Sequence, residues 1–289
     1  MSSVSESVSQ RMTLGMLAEQ YGFDIVPQFA ADVTITSLSD SLDSIGPGAL
    51  FICGNRISDI QHAVQAGAYA ALLPRALQHQ CPSADIPLMF GEINDHVLGN
   101  MAVTLAGSPT NSMAVFAVCG DDDEDIYANA TQLADFLHML GNPVAVISAN
   151  GSTSMTRALN LTYPLGVIDM QRTLAVCAED GVAAVIIAMN AATITNHALE
   201  SVNVDVIGSD HEIIGQDVSA LRMRYGFVAD RDLALTVTNA ESNELAMESP
   251  VAFDPIRMRH MSLAIAMVLA AGVRKNNVRS ALRVANNLN

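Results

Sequence analysis

The chain has 289 residues, enough for two domains of ordinary size, and half of them are hydrophobic against 15% charged, which excludes a largely disordered protein. Its formal charge of −16 creates a field that repels nucleic acid and anionic membrane surfaces, so neither is an expected partner. The basic residues are almost all arginine; Lys275 is the single lysine.

In chain order, residues 1–11 are polar and Ser-rich, are expected to form a disordered tail, and lack the apolar segment of a signal peptide. A short helix is predicted near Met12–Tyr21, followed by a Ser/Asp-rich stretch from Thr34 to Ser44. Gly46-Pro47-Gly48 marks a turn before a strand at Ala49–Cys53. A helix at Ile60–Ala66 closing on Gly67, strands at Tyr69–Leu73 and Ile86–Phe90, and a helix near Asp95–Leu105 complete an alternating α/β region over 12–108. Gly107 to Ser112 reads as a linker. A second region, 109–289, begins with the continuous apolar run Ala114–Cys119, suited to a buried parallel strand, then Gly120 and a helix from about Ile126 to Leu140. Further strands are predicted at Val144–Ser148, Val182–Met189, Val202–Ile207 and Leu233–Val237, with helices near Asp169–Glu179, Met258–Ala271 and Asn276–Asn286. This is the pattern of a doubly wound, mostly parallel sheet. The longest apolar stretch, Met261–Val273, is too short to span a bilayer and reads as a buried helix, so a cytoplasmic protein is expected.

The cysteines, Cys53, Cys81, Cys119 and Cys177, are too widely spaced for zinc ligation or a disulfide framework. Cys53, Cys119 and Cys177 lie in apolar runs and are expected to be buried thiols. Asp210-His211, with His197 as a third partner, has the composition of an acid–base pair, but adjacent side chains seldom face each other and a structural role is favoured. His62 is read as a half-buried histidine. Arg257, Arg259 and His260 form the one basic cluster, able to meet a phosphate or an acidic neighbour.

The most informative segment is the turn after the Ala114–Cys119 strand. A strand, a turn and a helix form the usual phosphate cradle, which needs glycines for close backbone approach, a lysine and a Ser/Thr. Here the turn is Gly120 followed by Asp121, Asp122, Asp123, Glu124 and Asp125. A triphosphate against these carboxylates would cost several kcal/mol of like-charge repulsion. The favoured reading is that the acids cap the helix and interact with its dipole, for roughly 0.3–1 kcal/mol each. The alternative is a hard-cation site at Asp121, Asp123 and Asp125, which requires carboxylates at a helix start to converge.

The order of motifs resembles the Mur ligase family, closest to the MurE type, which adds the third amino acid to UDP-N-acetylmuramoyl-dipeptide. Ile35-Thr36-Ser37-Leu38, Pro47-Gly48-Ala49-Leu50-Phe51 and Ala63-Val64-Gln65-Ala66-Gly67-Ala68 are similar to that family's UDP-binding domain. Gly107-Ser108-Pro109 is similar to the start of its ATPase domain, Leu161-Thr162-Tyr163-Pro164 to the element facing the nucleotide sugar, and Ser262–Val273 to its late Ala-rich helix. The resemblance implies an α/β fold: a small N-terminal UDP-binding-like domain, then a P-loop-like central domain. It also implies a vestigial UDP-substrate site at Ser41, Thr162 and Pro164.

The departures fall on catalytic positions. The family's Gly-Thr-Asn-Gly-Lys-Thr aligns with Gly120 to Asp125, so the lysine becomes Glu124 and the Mg²⁺-holding threonine Asp125. The magnesium-binding glutamate falls near Ala188, and the Asn loop before Asp-His is shortened to Gly208-Ser209-Asp210-His211. The segment expected to carry a carbamylated lysine, Val218–Arg224, has none, and Lys275 alone cannot supply both lysines. Arg257 and His260 replace the late asparagines. Asp40-Ser41-Leu42-Asp43 lacks the arginine of the family's Asp-Ser-Arg element, and the third domain is expected to be absent. The resulting expectation is a pseudoenzyme without catalytic residues or cofactor, serving a structural, regulatory or partner-binding role in peptidoglycan precursor metabolism, with an unidentified protein or a second copy as partner. The alternatives are a sensor binding a UDP-muramoyl compound, and an ATP-dependent ligase completed by another chain.

Overall fold

The computed structural model describes residues 12–81, 84–210, 215–229 and 233–288. The expected tail and His211 lie outside them. The chain divides into two compact units, Met1–Ser108 with Val167–Arg172, and Pro109–Gly166 with Thr173–Asn289.

The first unit opens with β1 (Met12–Thr13), α1 (Leu14–Tyr21), β2 (Asp24–Val26), β3 (Thr34–Ile35) and β4 (Ser37–Ser39). It continues with β5 (Ala49–Ile52), α2 (Ile60–Ala66), β6 (Ala70–Pro74), β7 (Leu88–Gly91) and α3 (Asp95–Leu105). Its main sheet has the order β2-β7-β6-β5-β4, with β4 to β7 parallel and β2 antiparallel at the edge. β5 and β7 are buried along their whole length, as strands of a parallel sheet covered on both faces must be. The Ser/Asp-rich stretch, which gave no periodic signal, supplies β3 and β4. Thr13 caps α1 by accepting from the Met16 N–H, and Gly67, at φ +98°, closes α2. His62 is exposed on α2, not half-buried.

The second unit contains β8 (Ala114–Cys119), α4 (Asp123–Met139), β9 (Val144–Ile147), β10 (Ser152–Ser154), β11 (Arg157–Leu159), α5 (Val167–Glu179) and β12 (Ala184–Ala188). The first six residues of α5 group with the first unit, where Val167 and Ile168 join the core. After β13 (Val206–Ser209) come α6 (Gly215–Tyr225), β14 (Ala234–Thr236), α7 (Ala240–Ala246), α8 (Pro255–Ala270) and α9 (Lys275–Leu288). The sheet order is β11-β10-β9-β12-β8-β13-β14, with β9, β12, β8, β13 and β14 parallel and a β10–β11 hairpin on the edge. The molecule is thus the mixed α/β protein expected.

α4 and α8 cover one face of this sheet and share its core, where Ile126, Leu133 and Phe136 of α4 meet Leu263, Ala264 and Met267 of α8. α8 is buried continuously from His260 to Val268, because a helix apolar on all sides must be enclosed. Its close approach to the sheet depends on Gly208, where a Cβ would lie 2.3 Å from the Met267 sulfur. Among the described residues no helix is long and apolar enough to cross a membrane. Cys53, Cys119 and Cys177 are buried free thiols, and burial pushes each up to about 11.

Candidate functional site

The parallel strands β8, β12 and β13 end side by side, and the chain segments leaving them define the crevice where open α/β sheets usually hold ligands. β8 leads into Gly120 and the acidic turn, β12 into Asn190, and β13 into Asp210. Gly120 does not adopt a left-handed backbone, and a Cβ there would meet Ile126 at an ordinary 3.4 Å. Glycine is therefore not sterically required at the head of this turn.

α4 starts at Asp123, three residues before its apolar stripe, because Asp122 is an effective N-cap. Asp122 is extended (φ −114°, ψ 127°), and its Oδ1 accepts from the N–H groups of Glu124 (2.9 Å) and Asp125 (3.1 Å). Its carbonyl accepts the first helical hydrogen bond, from the Ile126 N–H at 3.0 Å. The predicted start at Ile126 marks where the helix first enters the core, while the turn before it is held by capping.

The other acids of the run point to separate partners. Asp123 Oδ1 accepts from Asn190 Nδ2 at 2.8 Å, and Asn190 Oδ1 in turn accepts the Thr193 N–H at 3.0 Å. Asp125 meets two side chains of α8, Arg259 Nη2 at 2.9 Å and His260 Nε2 at 3.3 Å. Burial raises the Asp125 carboxyl, but the hydrogen bonds and charges of His260 and Arg259 outweigh it and hold the group below the ordinary carboxylate range. Asp121 and Glu124 are exposed. One turn along α4, the buried Asn129 donates from Nδ2 to both carboxylate oxygens of Asp210, at 3.0 and 2.9 Å.

This arrangement does not fit a magnesium triphosphate. The N–H groups of Glu124 and Asp125 that an anion would use are already held by Asp122, and the nearby Arg259 and His260 are engaged by Asp125. Lys275 pairs with Glu241 at 3.1 Å, and Ala188 is a buried strand residue without ligating atoms. Nor do Asp121, Asp123 and Asp125 converge: Asp123 and Asp125 turn to Asn190 and to α8. Among the described residues no group of three or more His, Cys, Asp or Glu is placed to hold a metal ion.

The remaining sequence candidates fall in both units. Ser41, in the first unit, is exposed and uses its carbonyl to accept from the hydroxyls of Ser39 (2.7 Å) and Ser44 (3.1 Å). Arg56 donates to the neighbouring Asp40 carbonyl at 2.7 Å, so a guanidinium reaches this element from outside the motif. Thr162 and Pro164, in the second unit, are exposed on either side of Tyr163, whose hydroxyl is bonded to Ser152. His197 pairs with Glu200 at 3.2 Å, and Asp210 with Asn129. Val218–Arg224 lies within α6. Asn190 was not foreseen as a partner of the turn, nor Asn129 and Asp210 as partners of each other. The one available signal was their position, for Asn190 and Asp210, immediately after buried strands.

No protein-family model matches the sequence, and no curated protein matches it. Solved structures do. A MurF structure from Acinetobacter baumannii aligns with 96% of this chain and 68% of its own, at 13% identity and a TM-score of 0.56. A structure of UDP-N-acetylmuramoylalanyl-D-glutamyl-2,6-diaminopimelate–D-alanyl-D-alanyl ligase from the same organism covers 96% and 69%, at 12% identity and a TM-score of 0.57. At such identities the likeness concerns the fold: this chain has the fold of these Mur ligase structures over almost its entire length.

Proposed function

We infer that this protein is a non-catalytic relative of the Mur ligases, MurE-like in its motifs, whose role is structural, regulatory or partner-binding within peptidoglycan precursor metabolism. The observation that carries the reading is the self-satisfied acidic turn. Asp122 occupies the α4 N–H groups, Asp123 is held by Asn190, and Asp125 is held by Arg259 and His260. A phosphate would have to displace an internal carboxylate and then face exposed neighbours of its own sign. Each such contact is repulsive, though solvent screens it at these exposed side chains. The same bonds join α4 to the β12 end and to α8, so the residues that replace the phosphate loop stabilise the fold around it.

The test is an ADP-release assay with ATP, Mg²⁺, a UDP-muramoyl peptide and an amino-acid mixture. The expected result is no release above the protein-free rate. Sustained turnover that follows the protein through purification would overturn the reading.

A further inference from the structure

Asparagine or aspartate followed by glycine is prone to modify itself. No side chain on the glycine obstructs the approach of its backbone nitrogen to the preceding side-chain carbonyl. This sequence contains one dipeptide of each kind, Asn150-Gly151 and Asp180-Gly181. The fold restrains the second and leaves the first open.

Asp180 is the C-cap of α5, and its carboxylate accepts from Ser154 Oγ at 2.5 Å and from Arg157. These bonds hold the carboxyl below its ordinary range, and a pinned carboxylate is a poor target for an amide nitrogen. The backbone is fixed as well: the N–H groups of Asp180 and Gly181 donate to the Val176 and Ala178 carbonyls at 3.0 Å. Asn150 and Gly151, by contrast, lie in the turn between β9 and β10, and both are exposed. The Asn150 side chain makes no hydrogen bond among the described residues; only its backbone N–H is engaged, by Ser148 Oγ at 3.1 Å. Gly151 has φ +131°, and a Cβ placed there would meet nothing within 4 Å, so the space beside it is clear. One restraint remains, the Gly151 N–H bond to the Ser148 carbonyl at 3.0 Å. A single bond in an exposed turn opens by local fluctuation, far below the cost of global unfolding.

We propose that Asn150 is a site of spontaneous deamidation in the folded protein, becoming aspartate and isoaspartate. Hydroxide removes the Gly151 amide proton, and the nitrogen attacks Asn150 Cγ. The N–Cγ bond forms, the Cγ–Nδ2 bond breaks, and the departing amide takes a proton from water to leave as ammonia. Water then adds to either carbonyl of the succinimide and opens it. The balance is one water consumed and one ammonia released, with no change of oxidation state. Each event adds a negative charge to a chain already at −16. The isoaspartate product also lengthens the backbone of a turn whose Ala149 N–H is bonded to Thr193 Oγ1 at 3.0 Å. Thr193 is held by Asn190, which also holds Asp123, so the change falls on the network that reaches the acidic turn. The inference stands whether or not the chain is a ligase.

The experiment ages the full chain at physiological temperature in neutral and in mildly alkaline buffer, beside a sample unfolded in guanidinium chloride. Peptide mapping by mass spectrometry reads amide-to-acid conversion at each asparagine. An isoaspartyl carboxyl-methyltransferase with a radiolabelled methyl donor reads isoaspartate. In the folded chain, conversion comes first at Asn150 and quickens with hydroxide, while the Asp180 peptide accepts no methyl group. Unfolding brings Asp180 into the isoaspartate count. Asn150→Gln, whose longer side chain closes its ring far more slowly, removes most methyl acceptance from the folded chain. Asn150 left intact in the folded chain while the unfolded sample converts would show that the Gly151–Ser148 bond protects the turn, and overturns the proposal. Conversion first at another asparagine, or isoaspartate at Asp180 as fast as at Asn150 in the folded chain, overturns it as well.

Discussion

Replacing Asp122 separates the two opposing effects of the acidic turn. Asp122 is the N-cap of α4, with its carboxylate on two backbone N–H groups at 2.9 and 3.1 Å. It also sits beside four other acids, so removing it relieves some repulsion. Loss of an Asp cap to alanine costs about 1 kcal/mol, within a range of roughly 0.5–2. Relief of exposed like-charge contacts returns about 0.2–0.5 kcal/mol each. With four acidic neighbours the two effects are of similar size in Asp122→Ala, so its net change alone does not separate them. Asp122→Asn keeps the acceptor and relieves the same repulsion. The difference between the two variants isolates the cap at about 1 kcal/mol, or roughly 2 °C in Tm for a chain of this size. Urea unfolding followed by far-UV circular dichroism measures it, since the chain has no Trp for a fluorescence probe. If Asp122→Ala is as stable as Asp122→Asn, the cap contributes nothing and the turn is a strained, repulsive segment instead of a self-satisfied one.

Three further outcomes follow from the same geometry. Asp125→Asn weakens the contacts to Arg259 and His260; with the Asp125 side chain 37% exposed, the loss at neutral pH stays below about 1 kcal/mol. Because the folded Asp125 carboxyl is depressed, its contribution is present above the ordinary carboxylate range and lost as pH falls through the depressed value. The variant's urea midpoint should therefore fall less than the parent's between neutral pH and about pH 3; an equal fall would remove Asp125 from the acid limb. Asn190→Leu removes the bond to the exposed Asp123 and one acceptor of the Thr193 N–H, which keeps the Asn190 carbonyl at 3.2 Å, and costs about 0.5–1.5 kcal/mol by the same urea measurement; a change within error would show that this bridge is dispensable. Iodoacetamide at neutral pH should label the partly exposed Cys81 before Cys119 and Cys177, whose thiols burial pushes up to about 11. Mass spectrometry showing Cys119 modified first would contradict its enclosure.

Much of the fold was legible because buried parallel strands announce themselves. Ala114–Cys119 and the helix Asp95–Leu105 were read with their observed bounds, one from an unbroken apolar run and the other from its periodicity. The β10–β11 hairpin was not read, since Ser152–Ser154 and Arg157–Leu159 sit at a sheet edge and lack alternation strong enough to stand out. α7 was missed although Asn239 and Ser242 form a reciprocal capping box, a signal too common in loops to decide a helix alone. At the site, the acidic turn was visible as a run of like charge. Its partners were not: Asn190 and Arg259 reach it from 67 and 134 residues away, and only the strand order brings them together. The basic cluster Arg257, Arg259 and His260 was seen, but its acidic counterpart was identified only once α4 and α8 were packed side by side.

The central claim is that the crevice above β8 is closed to nucleotide by its own carboxylates. Isothermal titration of the full chain with ATP and Mg²⁺ tests it most directly. A micromolar nucleotide site requires about −8 kcal/mol, and its phosphates would have to displace the Asp122 cap and meet the exposed Asp121 and Glu124. The account predicts no saturable heat up to millimolar ATP. A dissociation constant in the micromolar range, lost when Asp123 and Asp125 are replaced, would contradict it.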